Sequence, residues 1–156
     1  VFGSSSSITE LPFATFYYCQ QLEEITLPSL LKTIGGQCFD TCKSLTSIVL
    51  PDSVTTIGHG AFGDCVKLAS ITLDDSLTTL DGDCFRNCSA LRSIALPANL
   101  IMIQRDLFSG CQLLSEVTYK GTVSNFKVLT NGFFSDLLSP TRASYVQCSD
   151  GKVTLS

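Results

Sequence analysis

The sequence predicts an α/β solenoid: a right-handed stack of coils with a parallel β-sheet, short helical or 3-10 turns, and a C-terminal cap. The first observation is a row of cysteines 23 residues apart, at Cys19, Cys42, Cys65, Cys88 and Cys111. The second is the apolar phrase that follows each cysteine, Leu-x-x-Ile-x-Leu, which softens only in the last copy. A fixed period of this length indicates coils that bury their apolar sides against one another.

The third observation is the loss of the period after Tyr119. We divide the 156 residues into a leader or linker at residues 1–7, five 23-residue repeats at residues 8–119, and a capping segment at residues 120–156. A solenoid has to cover its last apolar coil. The segment from 120 onwards has the position and the apolar content that such a cap requires.

The Ile-x-Leu phrase predicts one strand in each coil, because apolar and polar residues alternate along it. Ile25 and Leu27 then lie on the buried face, and Glu24 and Thr26 lie on the outer face. Repeated strands on successive coils run parallel and present an extended outer surface, on which repeat proteins commonly bind partners. The predicted partner-binding residues are Glu24, Thr26, Ser47, Val49, Ser70, Thr72, Ser93, Ala95, Glu116 and Thr118.

These outer residues are small and mostly hydroxylated. Binding hot spots favour Trp, Tyr and Arg, so the face by itself predicts weak binding, and a solvated surface without a ligand is the alternative. The other half of each coil reads Leu-x-x-Ile-Gly and then a Phe. We expect Phe39, Phe62, Phe85 and Phe108 to fill the space between coils, next to a single helical or 3-10 turn.

The regular cysteine row predicts buried, reduced thiols, since a thiol packs as a small hydrophobe. Strands of neighbouring coils lie ~4.8 Å apart, which is close enough that disulfides between coils stay an alternative. The sequence therefore leaves the redox compartment open.

The two ends of the array differ in sequence. At the C-terminal end, residues 145–148 and 153–155 read as strands joined by an Asp150-Gly151 turn. At the N-terminal end the leader is short and polar, which predicts an exposed apolar surface that contacts either further repeats or another chain. The residues of that surface are Ile8, Leu11, Phe13, Phe16 and Leu22.

Composition and motifs predict neither nucleic-acid binding nor catalysis. The net charge is −4, whereas nucleic-acid binding requires a basic face. No apolar run approaches the ~18 residues that cross a bilayer, so we expect no direct membrane insertion. The single histidine, His59, reads as an exposed loop residue, and the Cys38/Cys42 and Cys84/Cys88 pairs lie two coils apart. We therefore expect no catalytic residue, no metal site and no cofactor.

Residues 50–68, Leu-Pro-Asp-Ser-Val-Thr-Thr-Ile-Gly-His-Gly-Ala-Phe-Gly-Asp-Cys-Val-Lys-Leu, resemble the BspA-type leucine-rich repeat. This 23-residue form occurs in surface proteins of bacteria and of some protists. Asp74 stands where that family usually has Pro. The resemblance implies adhesion or protein binding by a non-enzymatic module at the cell surface or outside the cell, with an intracellular location left open. The alternative is a structural subunit docked permanently in a larger assembly.

Overall fold

The structure is a computed structural model that describes residues 6–138 and 140–154. We number its coils 1 to 5, at residues 8–27, 28–50, 51–73, 74–96 and 97–119. The elements in chain order are β1 (Glu10–Leu11), β2 (Thr33–Ile34), β3 (Ser47–Val49), β4 (Thr56–Ile57), β5 (Ser70–Thr72), β6 (Thr79–Leu80), β7 (Ser93–Leu96), β8 (Met102–Ile103), β9 (Glu116–Tyr119), α1 (Val123–Thr130), α2 (Phe134–Leu138), β10 (Tyr145–Cys148) and β11 (Gly151–Thr154).

The Ile-x-Leu phrases form parallel strands in coils 2 to 5, as predicted. β3 pairs with β5, with Ile48 opposite Ile71. β7 pairs with β9, with Ile94 opposite Val117. The predicted strand in coil 1 is wrong, since residues 24–27 belong to no strand and Ile25 is only half-buried. Coil 1 has a described neighbouring coil on one side only, so this segment lacks packing and hydrogen bonds from a second coil among the described residues.

A second parallel sheet, which the sequence did not predict, arises from the Leu-x-x-Ile-Gly half of the coils. Its strand order is β1-β2-β4-β6-β8, and Ile34 lies opposite Ile57. The apolar residue that ends each of these strands is buried in the core. Coils 2 to 5 therefore each contribute one short strand to each side of the stack, and coil 1 contributes β1 alone.

The segment between the two sheets forms a run of reverse turns in place of the predicted helical or 3-10 turn. In coil 2, the N–H groups of Gln37, Phe39 and Thr41 donate to carbonyl groups of coil 3. The intervening N–H group of Asp40 donates to the Gln37 carbonyl of its own coil. Two positions per coil have a positive φ, and both recur every 23 residues: Ala14, Gln37, Gly60, Asp83 and Asp106, and Tyr18, Thr41, Asp64, Asn87 and Gly110.

Five phenylalanine rings form a continuous stack through the core. Neighbouring ring centroids lie 5.2 to 5.9 Å apart, and the ring planes are nearly parallel. Phe39, Phe62, Phe85 and Phe108 are fully buried, which confirms their predicted position between the coils. Phe16 of coil 1 is the half-buried end of the stack.

The cysteine row is a hydrogen-bonded ladder as well as a packing ladder. The Cys65 Sγ donates to the Phe39 carbonyl at 3.2 Å, and Cys88 and Cys111 repeat this contact one and two coils later. All eight cysteines are free thiols. The prediction of burial is confirmed for Cys42, Cys65, Cys88 and Cys111 but wrong for Cys19, which is exposed. Cys19 lies in coil 1, where the Phe-bearing coil that covers the other four thiols is missing from the described residues.

The cap adds a sixth layer to the stack. Helix α1 begins at the N-cap Thr122, whose side chain accepts from the Asn125 N–H, and it ends at Asn131 in the left-handed conformation. Its Phe126 is buried and packs 5.3 Å from the Tyr119 ring. Gly121 is needed before α1, because a Cβ there would lie 2.5 Å from the Tyr119 ring. Val128, on the same helix, is 80% exposed.

Both strands predicted in the cap are present. β10 pairs in parallel with β9, and β11 returns antiparallel to β10. The second prediction extended to Leu155, which lies outside the described residues. Within residues 6–138 and 140–154, no helix has the length and the hydropathy needed to span a bilayer.

Candidate functional site

The outer surface of the Ile-x-Leu strands, here called the sheet face, holds the predicted partner-binding residues. Nine of the ten are exposed and Thr118 is half-buried, while the apolar residues between them are buried in coils 2 to 5 and half-buried at Ile25 of coil 1. Eight lie on strands, and Glu24 and Thr26 lie in the part of coil 1 that has no strand. Val49 is the large apolar member of the set and is 81% exposed.

A shallow depression of about 330 Å³ lies in the sheet face. Its hydroxyl groups come from coils 3 to 5, and Ala95 contributes the smallest side chain of its lining. Glu116 and Lys120 supply its charges, and the Lys120 Nζ also lies 2.9 Å from the Asp75 carboxylate. The lining residues are Ser70, Ile71, Thr72, Leu73, Ser93, Ile94, Ala95, Glu116, Thr118 and Lys120.

The cap extends the sheet face by two strands. Val146 pairs with Val117 and Gln147 with Thr118, so Tyr145 and Gln147 share the outer face with Glu116 and Thr118. Across the β10–β11 hairpin, Thr154 and Lys152 lie opposite Tyr145 and Gln147. The Lys152 Nζ lies 4.2 Å from the centre of the Tyr145 ring.

The sequence reasoning missed these four cap residues as part of the face. The alternation in residues 145–148 predicts a strand, and it also shows that Tyr145 and Gln147 point the same way. It does not show which strand is the neighbour, because two helices and three connecting segments lie between β9 and β10.

The buried thiols are unreactive because burial raises the pKa of each one. Burial raises the pKa of Cys38 to about 11, and burial raises the pKa of Cys42 and Cys111 to about 12. Desolvation also places the pKa of Cys65, Cys84 and Cys88 well above the usual value. The thiolate is the nucleophile and the metal ligand, so these side chains stay protonated and inert at neutral pH.

His59 is an exposed loop residue, as predicted, with 60% of its side chain accessible. Its Nε2 lies 3.8 Å from the Asp83 carboxylate. Two neighbouring aspartates have partners within the protein: Asp74 accepts from the Ser76 N–H, and Asp75 pairs with Lys120. Across the part of the chain that the structure describes, no three His, Cys, Asp or Glu side chains converge where a metal ion could bind.

A polar network crosses three coils on the turn side. The Arg86 guanidinium lies 2.8 Å from the Asp64 carboxylate and 3.7 Å from that of Asp40, whose side chain is almost fully buried. The Asn87 amide donates to Asp64 at 2.9 Å. Gly63 leaves the space that Arg86 crosses, since a Cβ there would lie 3.2 Å from the guanidinium. The network ties coils 2, 3 and 4 together, and every member has a partner within the protein.

The N-terminal coil exposes large apolar side chains. Phe13 is 69% exposed, and Tyr17 and Tyr18 are 51% and 61% exposed. Ile8 is also exposed, and Phe16 and Leu22 are half-buried. The expectation fails for Leu11, which is 2% exposed because its strand β1 pairs with β2 and turns Leu11 into the core.

Comparison with known proteins identifies this repeat. Residues 9–138 match the family model described as the BspA type leucine rich repeat region, in six copies. No curated protein sequence matches significantly.

Solved structures with the same fold come from bacteria. A T. pallidum leucine-rich repeat protein is 34% identical, with a TM-score of 0.72 over 74% of this chain and 56% of that one. A Bacteroides ovatus leucine-rich repeat protein is 29% identical, with a TM-score of 0.65 over 76% of this chain and 30% of that one.

The pneumococcal vaccine antigen PcpA is 26% identical, with a TM-score of 0.66 over 74% of this chain and 28% of that one. The chain thus spans about half or less of these proteins. The match over most of the sequence shows that the chain belongs to the BspA-type leucine-rich repeat family.

Proposed function

We propose that this chain is a non-enzymatic interaction module that binds a protein partner on its sheet face. The observation that carries the proposal is the extent of the face: β7, β9, β10 and β11 form one sheet, β3 and β5 form a second one beside it, and a depression of about 330 Å³ lies across coils 3 to 5. Small side chains in that depression leave the backbone close to the surface. An incoming segment can therefore approach it along several strands.

The chemistry of the rest of the molecule supports a binding role over a catalytic one. The thiols of coils 2 to 5 are buried and protonated, and the single histidine lies on an open loop. A nucleophile needs a base within hydrogen-bond reach, and the buried thiols donate instead to carbonyl groups of the preceding coil. The sheet face itself carries hydroxyl, methyl and carboxylate groups.

We further propose that the module works at the cell surface or outside the cell. One similar structure is that of a pneumococcal vaccine antigen. Free thiols are compatible with an oxidising compartment when they are inaccessible, because oxidation follows thiolate character and exposure. Seven of the eight cysteines are buried.

The test of the binding role is selection of random peptides on the immobilised protein, followed by a blocking variant. Ala95→Arg places a long side chain in the depression, and Val128→Arg places the same side chain at an exposed site on α1. We expect the selected peptides to lose binding to Ala95→Arg and to keep binding to Val128→Arg. Peptides that bind both variants equally would show that the partner surface lies elsewhere.

Permanent docking in a larger assembly is the second candidate, and the N-terminal coil favours it. Phe13, Tyr17 and Tyr18 of coil 1 are all exposed, and the Tyr17 and Tyr18 ring centroids lie 6.1 Å apart. Large exposed apolar surface marks interaction sites. Substituting Phe13 by Asp should then lower the apparent mass of the protein in light scattering. A mass that is independent of concentration in both proteins would contradict docking by self-association.

A further inference from the structure

The two cap strands give the sheet face a chemistry that the coils lack. The faces of coils 2 to 5 carry hydroxyl groups, the apolar side chains of Val49 and Ala95, and Glu116, whereas β10 and β11 add an aromatic ring and a cation. We propose that this end, formed by Tyr145, Gln147 and Lys152, anchors the partner and takes a protein segment with an Asp or Glu carboxylate beside an apolar side chain. The inference rests on the proposed function and names the chemistry of its partner.

Tyr145 supplies the apolar part of the anchor. It is 38% exposed and directly precedes Val146, which pairs with Val117. The ring is thus next to Glu116 of the depression, on the same face. Tyr offers a large contact area at a low cost in side-chain entropy, and aromatic residues are enriched in binding hot spots. An apolar partner side chain that enters the depression meets this ring at its C-terminal edge.

Lys152 supplies the charge. Its Nζ lies over the Tyr145 ring at 4.2 Å, so the ring holds the ammonium group in place. Two other cations of the chain have carboxylate partners: Lys120 lies 2.9 Å from Asp75, and Arg105 lies 3.1 Å from Asp136. Lys152 makes no ion pair with the described residues, and a cation–π contact leaves its donors open to a carboxylate.

The charge distribution of the chain favours an acidic partner segment at this end. Residues 120–156 carry four basic and two acidic side chains, whereas residues 1–119 carry six basic and twelve acidic ones. The cap is therefore the basic end of an acidic protein. Glu116 lies beside Tyr145 and repels a partner carboxylate that is shifted from β11 towards β9. Glu116 and Lys152 together therefore define the orientation of the bound segment.

The experiment uses two synthetic peptides as probes, each acetylated and amidated. One is Gly-Asp-Leu-Asp-Leu-Asp-Gly, and the other has Asn in place of every Asp. Both are titrated at low salt into the full, isotope-labelled chain, and backbone amide signals are followed by NMR. The variants are Lys152→Glu, Tyr145→Ala and Tyr145→Phe. Lys127→Glu is the matched control, since Lys127 is an exposed lysine on α1 and the net charge changes equally.

We expect the Asp peptide to shift the amide signals of Tyr145, Gln147 and Lys152. The Asn peptide should bind about three- to fivefold more weakly, as exposed charge pairs allow. Lys152→Glu should lose affinity for the Asp peptide by a similar factor. Tyr145→Ala should also lose affinity, whereas Tyr145→Phe should keep it. Lys127→Glu should show only the small general effect of the changed net charge.

Three outcomes would overturn the anchor: equal affinity for both peptides, equal behaviour of Lys152→Glu and Lys127→Glu, or no shift at about 10 mM peptide. The peptides selected on the whole protein separate this failure from failure of the binding role. If Ala95→Arg blocks them while Lys152→Glu and Tyr145→Ala do not, the sheet face binds partners and the anchor is wrong. If Ala95→Arg leaves them bound, the binding role of the face itself is wrong.

Discussion

Coil 1 and coil 3 carry the same apolar phrase and reach different structures. Coil 3 contributes one strand, β4 or β5, to each side of the stack, and its Cys65 and Phe62 are buried. Coil 1 lacks the Ile-x-Leu strand, exposes Cys19 and leaves its Phe16 half-buried. The residues at these positions are identical, so the difference comes from the number of neighbouring coils. Burial and strand formation in this solenoid are properties of the stack.

The largest effect should come from alkaline pH, because the interior coils hold six thiols with raised pKa: Cys38, Cys42, Cys65, Cys84, Cys88 and Cys111. Above about pH 9 the unfolded chain releases these protons while the folded chain keeps them, so stability is full below pH 9 and falls as the pH rises. Each thiol lowers the free energy of unfolding by about 1.4 kcal/mol per pH unit above that point.

The six thiols together lower the free energy of unfolding by up to about 8 kcal/mol at pH 10, which is comparable with the whole stability of a small domain. Urea midpoints measured from pH 7 to pH 11 should therefore fall steeply above pH 9. The Cys19→Ala variant serves as the control and should follow the same curve. A midpoint that stays constant to pH 11 would show that the thiols ionise freely in the folded chain.

The phenylalanine stack gives the next largest effect. Phe62→Ala should cost about 3–5 kcal/mol, because the cavity lies between two coils that are held in register and cannot close. Phe16→Ala, at the half-buried end of the same stack, should cost about 1–2 kcal/mol. Denaturant unfolding of both variants measures the difference. Equal losses of stability in the two variants would mean that the coil 1 end and the middle of the stack are equally packed.

The thiol ladder gives a smaller version of the same contrast. Cys65→Ala removes the sulfur and its hydrogen bond to the Phe39 carbonyl, so it should cost about 1–3 kcal/mol. Cys19→Ala should change the stability by less than about 0.5 kcal/mol, as expected for an exposed site. Thermal unfolding of the two variants measures this difference in stability. A loss of stability in Cys19→Ala as large as that in Cys65→Ala would contradict the contrast.

Short elements limited what the sequence could predict. The three- and four-residue strands around Ile48, Ile71 and Ile94 are long enough to show alternation, and the cysteine and phenylalanine rows follow from the 23-residue period. The strands of the other sheet contain two residues each, and two residues show no period. The positive-φ turns replace a helix at positions held by residues as different as Tyr18, Asp64 and Gly110, so composition gave no signal for them.

The candidate site divides in the same way. Its members within the coils follow from the repeat, since every coil places the same two positions outward. Tyr145 and Lys152 join the face only because β10 pairs with β9 and β11 folds back on β10. That pairing depends on the path of α1 and α2 through the cap, which is a tertiary feature without a local sequence pattern.

Thiol accessibility tests most directly the claim that neighbouring coils create burial. The native protein is treated with a maleimide at pH 7, digested and mapped by mass spectrometry, with a denatured sample as the reference. We expect Cys19 to be modified rapidly and Cys42, Cys65, Cys88 and Cys111 only after denaturation. Modification of those four at the rate of Cys19, or their recovery in disulfides, would contradict the account.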